Sequence, residues 1–245
     1  MGAGRKGFKK LAGELARVRP DLDDPAGAVV AGLVTVNGSV VTNPDSLVRS
    51  DAAIAVRRRA PLRGEAKLRA ALAAFDVPTA GRVALDVGAA AGGFTRVLLE
   101  TGAARVYAVD AGHGQLVGSL RRDPRVVTLE STNVADLDRT VVPETVEVIT
   151  VDLSYLSLAS AIGQLKSLAI AQGADLVALV KPMFELSLPQ PPTDPADLKE
   201  AVRRARRGVE GAGWTVADCI ESPVRGARGA VEFLLHARRS VAGAP

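Results

Sequence analysis

The stretch that decides the fold is Leu85-Asp86-Val87-Gly88-Ala89-Ala90-Ala91-Gly92-Gly93-Phe94. An apolar run that reaches an acid predicts a buried strand, and a turn of small residues follows before a helix opens. Small residues let a ligand approach the backbone, and the first turn of a helix has free N–H groups. Ligands of doubly wound α/β folds bind at this carboxyl edge of the sheet. The stretch therefore predicts a cofactor site.

Two classes of cofactor compete for this turn. A dinucleotide site has the pattern G-x-G-x-x-G, with the pyrophosphate on the helix N-terminus. Here Ala90 takes the second glycine position, and the carboxylate of Asp86 would repel a pyrophosphate. The same carboxylate suits the cationic amino group of S-adenosylmethionine, while Asp110 could bind ribose hydroxyls of either cofactor. The residues favour S-adenosylmethionine, and a turn that serves packing alone is the third interpretation.

The segments around the turn alternate between strand and helix patterns. Short runs rich in Val, Leu and Ala predict strands at residues 82–87, 105–109, 146–151 and 175–180. This alternation predicts a parallel sheet with helices on both faces. Two later runs, at residues 214–220 and 230–237, predict an antiparallel hairpin at the edge of the sheet. Between the two sets, a stiff proline-rich loop over 187–195 precedes a basic helix over 196–213.

The first 57 residues form a different pattern. Helical spacing over 8–18 places Leu11, Leu15 and Val18 on one face, and Asp23-Asp24-Pro25 predicts the start of a second helix that ends near Gly32. Residues 33–41 predict two strands around an Asn-Gly turn, and residues 52–56 a third strand. We therefore expect a small α+β domain over 1–57, a linker over 58–63, an α/β domain over 64–240 and a tail over 241–245.

Composition and charge restrict the class of protein. Hydrophobic residues make up 47% of the 245 residues and no apolar run approaches a membrane span, which predicts a soluble protein without membrane contact. One cysteine, two histidines and no signal-peptide pattern predict a cytoplasmic protein without a bound metal. Residues 1–63 hold 11 basic and 6 acidic residues, so this end of the chain is suited to bind a polyanion. The simpler interpretation is a basic surface that contacts only solvent.

Several ordered motifs resemble the TlyA family of rRNA 2′-O-methyltransferases, whose catalytic domain is of the FtsJ type. The first is residues 86–94, quoted above, and the resemblance extends over about residues 28–238. The other matching segments are residues 32–38, 63–68, 112–116, 121–126, 152–158, 181–185 and 231–233. The resemblance implies a Rossmann-like class I methyltransferase domain, with a seven-stranded, mostly parallel sheet and an antiparallel edge hairpin. It also implies a divergent S4-like RNA-binding domain at the N-terminus and rRNA in ribosomal subunits as partner.

The resemblance implies a catalytic set of two lysines and two acids. By motif it maps onto Lys67, Asp152, Lys181 and Glu232. In that role Lys181 would be the general base or stabilise the developing alkoxide, Asp152 would orient it, and Glu232 would hold Lys67. Glu232 also stands out by itself, as a lone acid within a predicted apolar strand.

The resemblance further implies that S-adenosylmethionine is bound, with S-adenosylhomocysteine as product. The residues implied to contact it are Asp86, Gly88, Ala89, Ala90, Gly92, Gly93, Phe94, Asp110, Asn133 and Asp152.

The sequence departs from the family pattern near the expected RNA contacts. Residues 19–25 carry acids where a basic S4 helix is usual, although Arg5, Lys6, Lys9, Lys10 and residues 57–59 could meet phosphates. Arg228 and Ala230 replace small polar residues before Glu232. These departures favour one alternative, a methyltransferase of the same fold that acts on a small hydroxylated molecule. A non-catalytic RNA-binding scaffold is a second alternative, against which the complete catalytic set argues. An NAD-dependent oxidoreductase is a third, which Ala90 disfavours.

Overall fold

The computed structural model describes residues 7–22, 24–57 and 61–240, and the chain divides into two compact units, Met1–Ala60 and Pro61–Pro245. Several residues that the sequence singled out lie outside the described residues. They are Arg5, Lys6, Asp23, Arg58, Arg59 and the tail over 241–245.

The described residues of the first unit form two short helices and five short strands. They are β1 (Phe8–Lys10), α1 (Leu11–Val18), α2 (Pro25–Val30), β2 (Val34–Val36), β3 (Ser39–Val40), β4 (Leu47–Arg49) and β5 (Ile54–Val56). The predicted Asn-Gly hairpin is confirmed, since β2 and β3 pair around Asn37 and Gly38, both with positive φ. The helix predicted from residue 8 begins instead at Leu11, because Phe8–Lys10 pairs with β4, a strand that the sequence pattern did not predict.

The core of the first unit is small and apolar. Leu11, Leu15, Val29 and Val34 are fully buried, whereas Val18, predicted on the same face, is 39% exposed. The carboxylate of Asp24 accepts a hydrogen bond from the Gly27 N–H at 2.8 Å, which confirms the predicted start of the second helix.

The second unit alternates strands and helices. Its first half contains α3 (Arg63–Phe75), β6 (Val83–Val87), α4 (Gly93–Glu100), β7 (Arg105–Asp110), α5 (Gly118–Arg121) and β8 (Val126–Glu130). Its second half contains β9 (Val146–Val151), α6 (Leu158–Gly163), β10 (Ile170–Val180), α7 (Pro182–Glu185), α8 (Pro195–Gly211), β11 (Trp214–Glu221) and β12 (Phe233–Arg239). Among the described residues, no helix has both the length and the apolar character needed to cross a membrane.

Within residues 61–240, the sheet of the second unit has seven strands in the order β11-β12-β10-β9-β6-β7-β8. The pairs formed by β8, β7, β6, β9 and β10 are parallel, and β12 runs antiparallel to both β10 and β11. This order confirms the predicted α/β, Rossmann-like fold with an antiparallel edge hairpin. Strand β12 begins at Phe233, opposite Val180, so Glu232 lies just before the strand and not within it as predicted.

Apolar clusters pack on this sheet, and a buried polar network centred on Asp175 lies among its strands. Asp175 lies 2.8 Å from Nε2 of His236 and 2.7 Å from the guanidinium of Arg82. Burial alone would raise the pKa of Asp175, but the hydrogen bonds from His236 and Arg82 outweigh it and hold the pKa at about 2. The network ties β10 to β12 and to the start of β6, far from the carboxyl edge of the strands.

Candidate active site

The small-residue turn connects β6 to α4 and has an unusual backbone. Gly88 and Gly92 have φ values of 86° and 92°, and Ala90, which has a side chain, has φ 46°. A Cβ at Gly88 would lie 2.4 Å from the carbonyl oxygen of Asp152, so only glycine fits between β6 and β9. The N–H of Ala90 donates to the Asp110 carboxylate at 2.8 Å, which helps to hold this residue in its strained conformation.

Asp86 lies beneath the turn and not on its surface. Its carboxylate is fully buried and accepts hydrogen bonds from the hydroxyls of Thr95, at 2.6 Å, and Thr150, at 2.9 Å. Burial raises the pKa of Asp86 to about 6, although the two hydroxyls lower it. The direct contact with a cofactor amino group that we expected from the sequence stays a prediction, and the full burial of the carboxylate argues against it.

The other predicted cofactor residues divide between core and surface. Phe94 is 3% exposed and packs among the apolar residues under α4, whereas Asn133 is exposed just beyond the end of β8. Asp110 ends β7 and accepts from the Gly112 N–H at 2.7 Å as well as from Ala90. A carboxylate has about four acceptor positions, so Asp110 keeps capacity for further donors such as ribose hydroxyls.

Glu130, which the sequence did not indicate, organises the neighbouring loop. It ends β8 and accepts from the backbone N–H groups of Gly114, Gln115 and Leu116 at 2.9 to 3.0 Å. These bonds, that of Leu116 first, hold the pKa of Glu130 at about 2, and Arg121 adds an ion pair at 2.9 Å. The signal was an acid at the end of a strand, but β8 itself was not among the predicted runs.

Lys67 and Glu232 form a buried ion pair. Lys67 lies on α3, Glu232 lies just before β12, and the ammonium nitrogen is 2.6 Å from the carboxylate. The two side chains are only 8% and 6% exposed.

Lys181 and Asp152 form a second ion pair at the carboxyl ends of neighbouring parallel strands. Asp152 follows β9, Lys181 follows β10, and the two charged groups are 2.6 Å apart. The hydroxyl of Ser154 accepts a further hydrogen bond from the Lys181 ammonium at 2.8 Å. Asp152 also borders Gly88 in the small-residue turn, so the second pair lies beside that turn.

All four residues of the predicted catalytic set line one cavity of about 470 Å³. Met183, Phe184, Pro191 and Pro192 give the cavity an apolar wall. Arg63 and Arg228 line it as well. Neither was among the predicted site residues, although the sequence had indicated Arg228 as a departure from the family pattern next to Glu232.

Arg63 holds the loop that carries Glu232. Its guanidinium donates to the backbone carbonyls of Arg225, at 2.7 Å, and Gly226, at 3.0 Å. A Cβ at Gly226 would lie 2.1 Å from Oε1 of Glu232, so this loop packs directly on the carboxylate. Arg63 and Lys67 are one turn apart on α3, and therefore the helix touches the loop at two points.

Comparison with known proteins identifies the family to which this chain belongs. The family model described as FtsJ-like methyltransferase matches residues 61–239. The chain is 40% identical over 233 residues to the 16S/23S rRNA (cytidine-2′-O)-methyltransferase TlyA of Mycobacterium tuberculosis, which covers 91% of this chain and 85% of that protein.

Solved structures extend the comparison. A protein from Streptococcus thermophilus, described provisionally as a hemolysin, has a TM-score of 0.71 at 29% identity. The match covers 96% of this chain and 90% of that protein. An S-adenosylmethionine-dependent methyltransferase from Mesorhizobium loti has a TM-score of 0.51 at 16% identity, with 71% and 98% covered. The second likeness is one of fold.

Proposed function

Since this chain belongs to the FtsJ-like methyltransferase family, we propose that it transfers a methyl group from S-adenosylmethionine to a ribose 2′-hydroxyl of ribosomal RNA. The observation that carries this proposal is the convergence of Lys67, Asp152, Lys181 and Glu232 on one cavity beside the small-residue turn. The activity in the name of the Mycobacterium tuberculosis relative supports the same reaction.

The residues at the carboxyl edge fit the proposed methyl donor. Asp110 has free acceptor capacity for ribose hydroxyls, and the exposed amide of Asn133 could pair with an adenine ring. The turn over 88–93 brings only small residues to the surface above Asp86, so a ligand can lie against the backbone. When bound, S-adenosylmethionine supplies a methyl group that is already activated for transfer.

Lys181 is the residue that acts on the attacking hydroxyl: as an ammonium it would stabilise the developing alkoxide, and only after loss of its own proton could it accept that of the hydroxyl. A ribose hydroxyl is a poor nucleophile at neutral pH, so its oxygen must be positioned and its proton removed or its developing charge stabilised. Lys181 lines the cavity, and Asp152 and Ser154 fix the direction of its ammonium. Asp152 is thus the orienting residue, and it lies at the boundary between the turn and the cavity.

The Lys67–Glu232 pair lines the same cavity. An ammonium held by a buried carboxylate keeps a fixed position, which suits a group that must bind an oxygen of the substrate in one orientation. Glu232 therefore positions Lys67, and Arg63 keeps the loop of Glu232 against α3.

The charge of the cavity favours RNA over a neutral small molecule. Four cationic side chains line it, Arg63, Lys67, Lys181 and Arg228, against the two carboxylates of Asp152 and Glu232. The lining thus carries a net charge of +2, which attracts a phosphate-bearing substrate. The complete catalytic set argues in turn against a non-catalytic scaffold, and a substrate in ribosomal subunits implies a cytoplasmic location.

The test is transfer of a labelled methyl group. We would incubate the full chain with labelled S-adenosylmethionine and, in separate reactions, small ribosomal subunits, large ribosomal subunits or free nucleosides. The expected result is label in rRNA together with resistance of one phosphodiester to alkaline cleavage, because a 2′-O-methyl group blocks the attacking hydroxyl.

Two outcomes contradict the proposal. Label in nucleosides alone would identify a small-molecule methyltransferase, and no label with any substrate, despite measured binding of S-adenosylhomocysteine, would identify a scaffold. The Lys181→Ala variant is the negative control, since it should bind S-adenosylhomocysteine without transferring label.

A further inference from the structure

Arg228 differs from the other cations of the cavity because its side chain has no hydrogen-bond or ion-pair partner among the described residues. Lys67 and Lys181 each pair with a carboxylate, and Arg63 donates to two backbone carbonyls. Arg228 is exposed, and among the residues that the structure describes no carboxylate lies within 4.0 Å of its guanidinium. A planar guanidinium whose donors find no partner in the described part of the chain is suited to bidentate binding of a phosphate.

The backbone at Arg228 is held in a conformation that arginine adopts at a cost. Its φ is 57°, in the left-handed region that favours glycine, and Gly229 follows with φ 78°. The loop closes through a hydrogen bond of 2.8 Å from the Gly226 N–H to the Ala230 carbonyl. Glycine would relieve this strain, so the arginine side chain is a cost to the fold at this position.

We infer that Arg228 binds a phosphodiester group next to the reacting ribose, and so selects a nucleotide within an RNA chain over a free nucleoside. The inference rests on the proposed function, because it assigns a subsite to the same cavity. Arg228 and the four residues of the catalytic set line that cavity together, so a ribose beside Lys181 would have its own backbone phosphates within the same enclosure.

Because the backbone at residue 228 suits glycine, the arginine side chain can be removed without strain on the fold. Arg228→Gly removes the guanidinium and suits the observed φ, so its melting temperature should equal or exceed that of the wild type. Arg228→Lys keeps the charge and the strain but loses the bidentate geometry. Arg69→Ala is the matched control, because it also removes one positive charge, but from an exposed ion pair with Glu100 elsewhere on α3.

The first measurement is methyl transfer to ribosomal subunits over a range of salt concentrations. Arg228→Gly should raise KM for the subunits by about tenfold, as expected for one charged hydrogen bond, and leave KM for S-adenosylmethionine unchanged. Its plot of log KM against log salt should be less steep by about 0.7 to 0.9, the contribution of one phosphate contact. Arg228→Lys should keep most of that slope, and Arg69→Ala should match the wild type.

The second measurement does not depend on turnover. Cytidine and cytidine 3′,5′-bisphosphate are titrated, with NMR detection, into protein saturated with S-adenosylhomocysteine. The wild type should bind the bisphosphate at least tenfold more tightly than the nucleoside, and Arg228→Gly should remove that difference. Equal KM and salt slope for Arg228→Gly and the wild type, or an unchanged preference for the bisphosphate, would overturn the inference.

The two measurements also separate this inference from the proposed function. A wild-type protein that labels no RNA but binds the bisphosphate through Arg228 contradicts the proposed reaction and keeps the phosphate subsite. A wild-type protein that labels rRNA with no effect of Arg228→Gly keeps the reaction and removes the subsite.

Discussion

The ammonium of Lys67 lies 2.6 Å from the carboxylate of Glu232, although 165 residues separate the two along the chain. Both side chains are more than nine-tenths buried. Removing two charges from water costs about as much as their attraction returns, so a buried ion pair adds little net stability. The pair is therefore better explained by the fixed position that it gives to a cation in the cavity.

This explanation predicts that stability and activity respond differently to changes in the pair. Glu232→Gln leaves a buried ammonium without its counter-ion and should lower the free energy of unfolding by about 3 to 5 kcal/mol. The double variant Lys67→Met with Glu232→Leu removes both charges and should recover most of that loss, yet remain inactive. Urea unfolding and a methyl-transfer assay on the same samples provide the test, and an active double variant would contradict the role of Lys67.

Gly226 provides a second test of the geometry around Glu232. A Cβ at this position would lie 2.1 Å from Oε1 of Glu232, so Gly226→Ala should displace the carboxylate or the loop. We expect a drop in kcat of at least tenfold, because such displacement misaligns Lys67, with KM for S-adenosylmethionine unchanged. Gly211→Ala is the control, since nothing lies within 4 Å of a Cβ there. Wild-type kcat for Gly226→Ala would show that the loop does not position Glu232.

Lys181 should be required for the chemical step and dispensable for binding of the cofactor. Removing a general base or a charge-stabilising group reduces kcat by about 10²- to 10⁴-fold. Lys181→Ala should show such a loss, while calorimetric titration gives a wild-type affinity for S-adenosylhomocysteine. Near wild-type turnover would rule out the assignment, and Lys166→Ala, an exposed lysine of the same unit, tests for general effects of charge.

The pKa of Asp86, raised to about 6 by burial, predicts a pH dependence of stability. An acid whose pKa is higher in the folded state binds protons more tightly when folded, so deprotonation destabilises the native protein. This contribution lowers the free energy of unfolding as pH rises from about 4 to about 6, by about 3 kcal/mol for two pKa units, and the loss persists at higher pH.

Asp86→Asn removes the titrating group and isolates its effect. The difference in unfolding free energy between the wild type and the variant should change by that amount between pH 4 and pH 7, in favour of the variant at the higher pH. Urea unfolding at several pH values measures it. A difference that is constant across this range would mean that Asp86 is ionised in the fold without cost.

Local patterns along the chain were enough to predict the α/β domain and the small-residue turn, whereas the catalytic set was predicted from the family resemblance. Short runs rich in Val, Leu and Ala located β6, β7, β9 and most of β10, because buried parallel strands are continuous apolar runs. The turn after β6 could be predicted because its glycines allow the positive φ values that such a turn needs. Lys67 and Glu232, which were mapped by motif, line one cavity with Asp152 and Lys181.

Only the tertiary structure decided which groups meet. Asp86 is held by Thr95 and Thr150, and Glu130 by a loop 14 to 16 residues before it, and neither set of partners follows from local patterns. Arg228 lines the site because the loop before β12 packs on α3, where Arg63 binds its backbone. The physical reason is that periodicity and turn chemistry act over a few residues, whereas ion pairs, burial and cavity charge depend on distances in space between segments far apart in the chain.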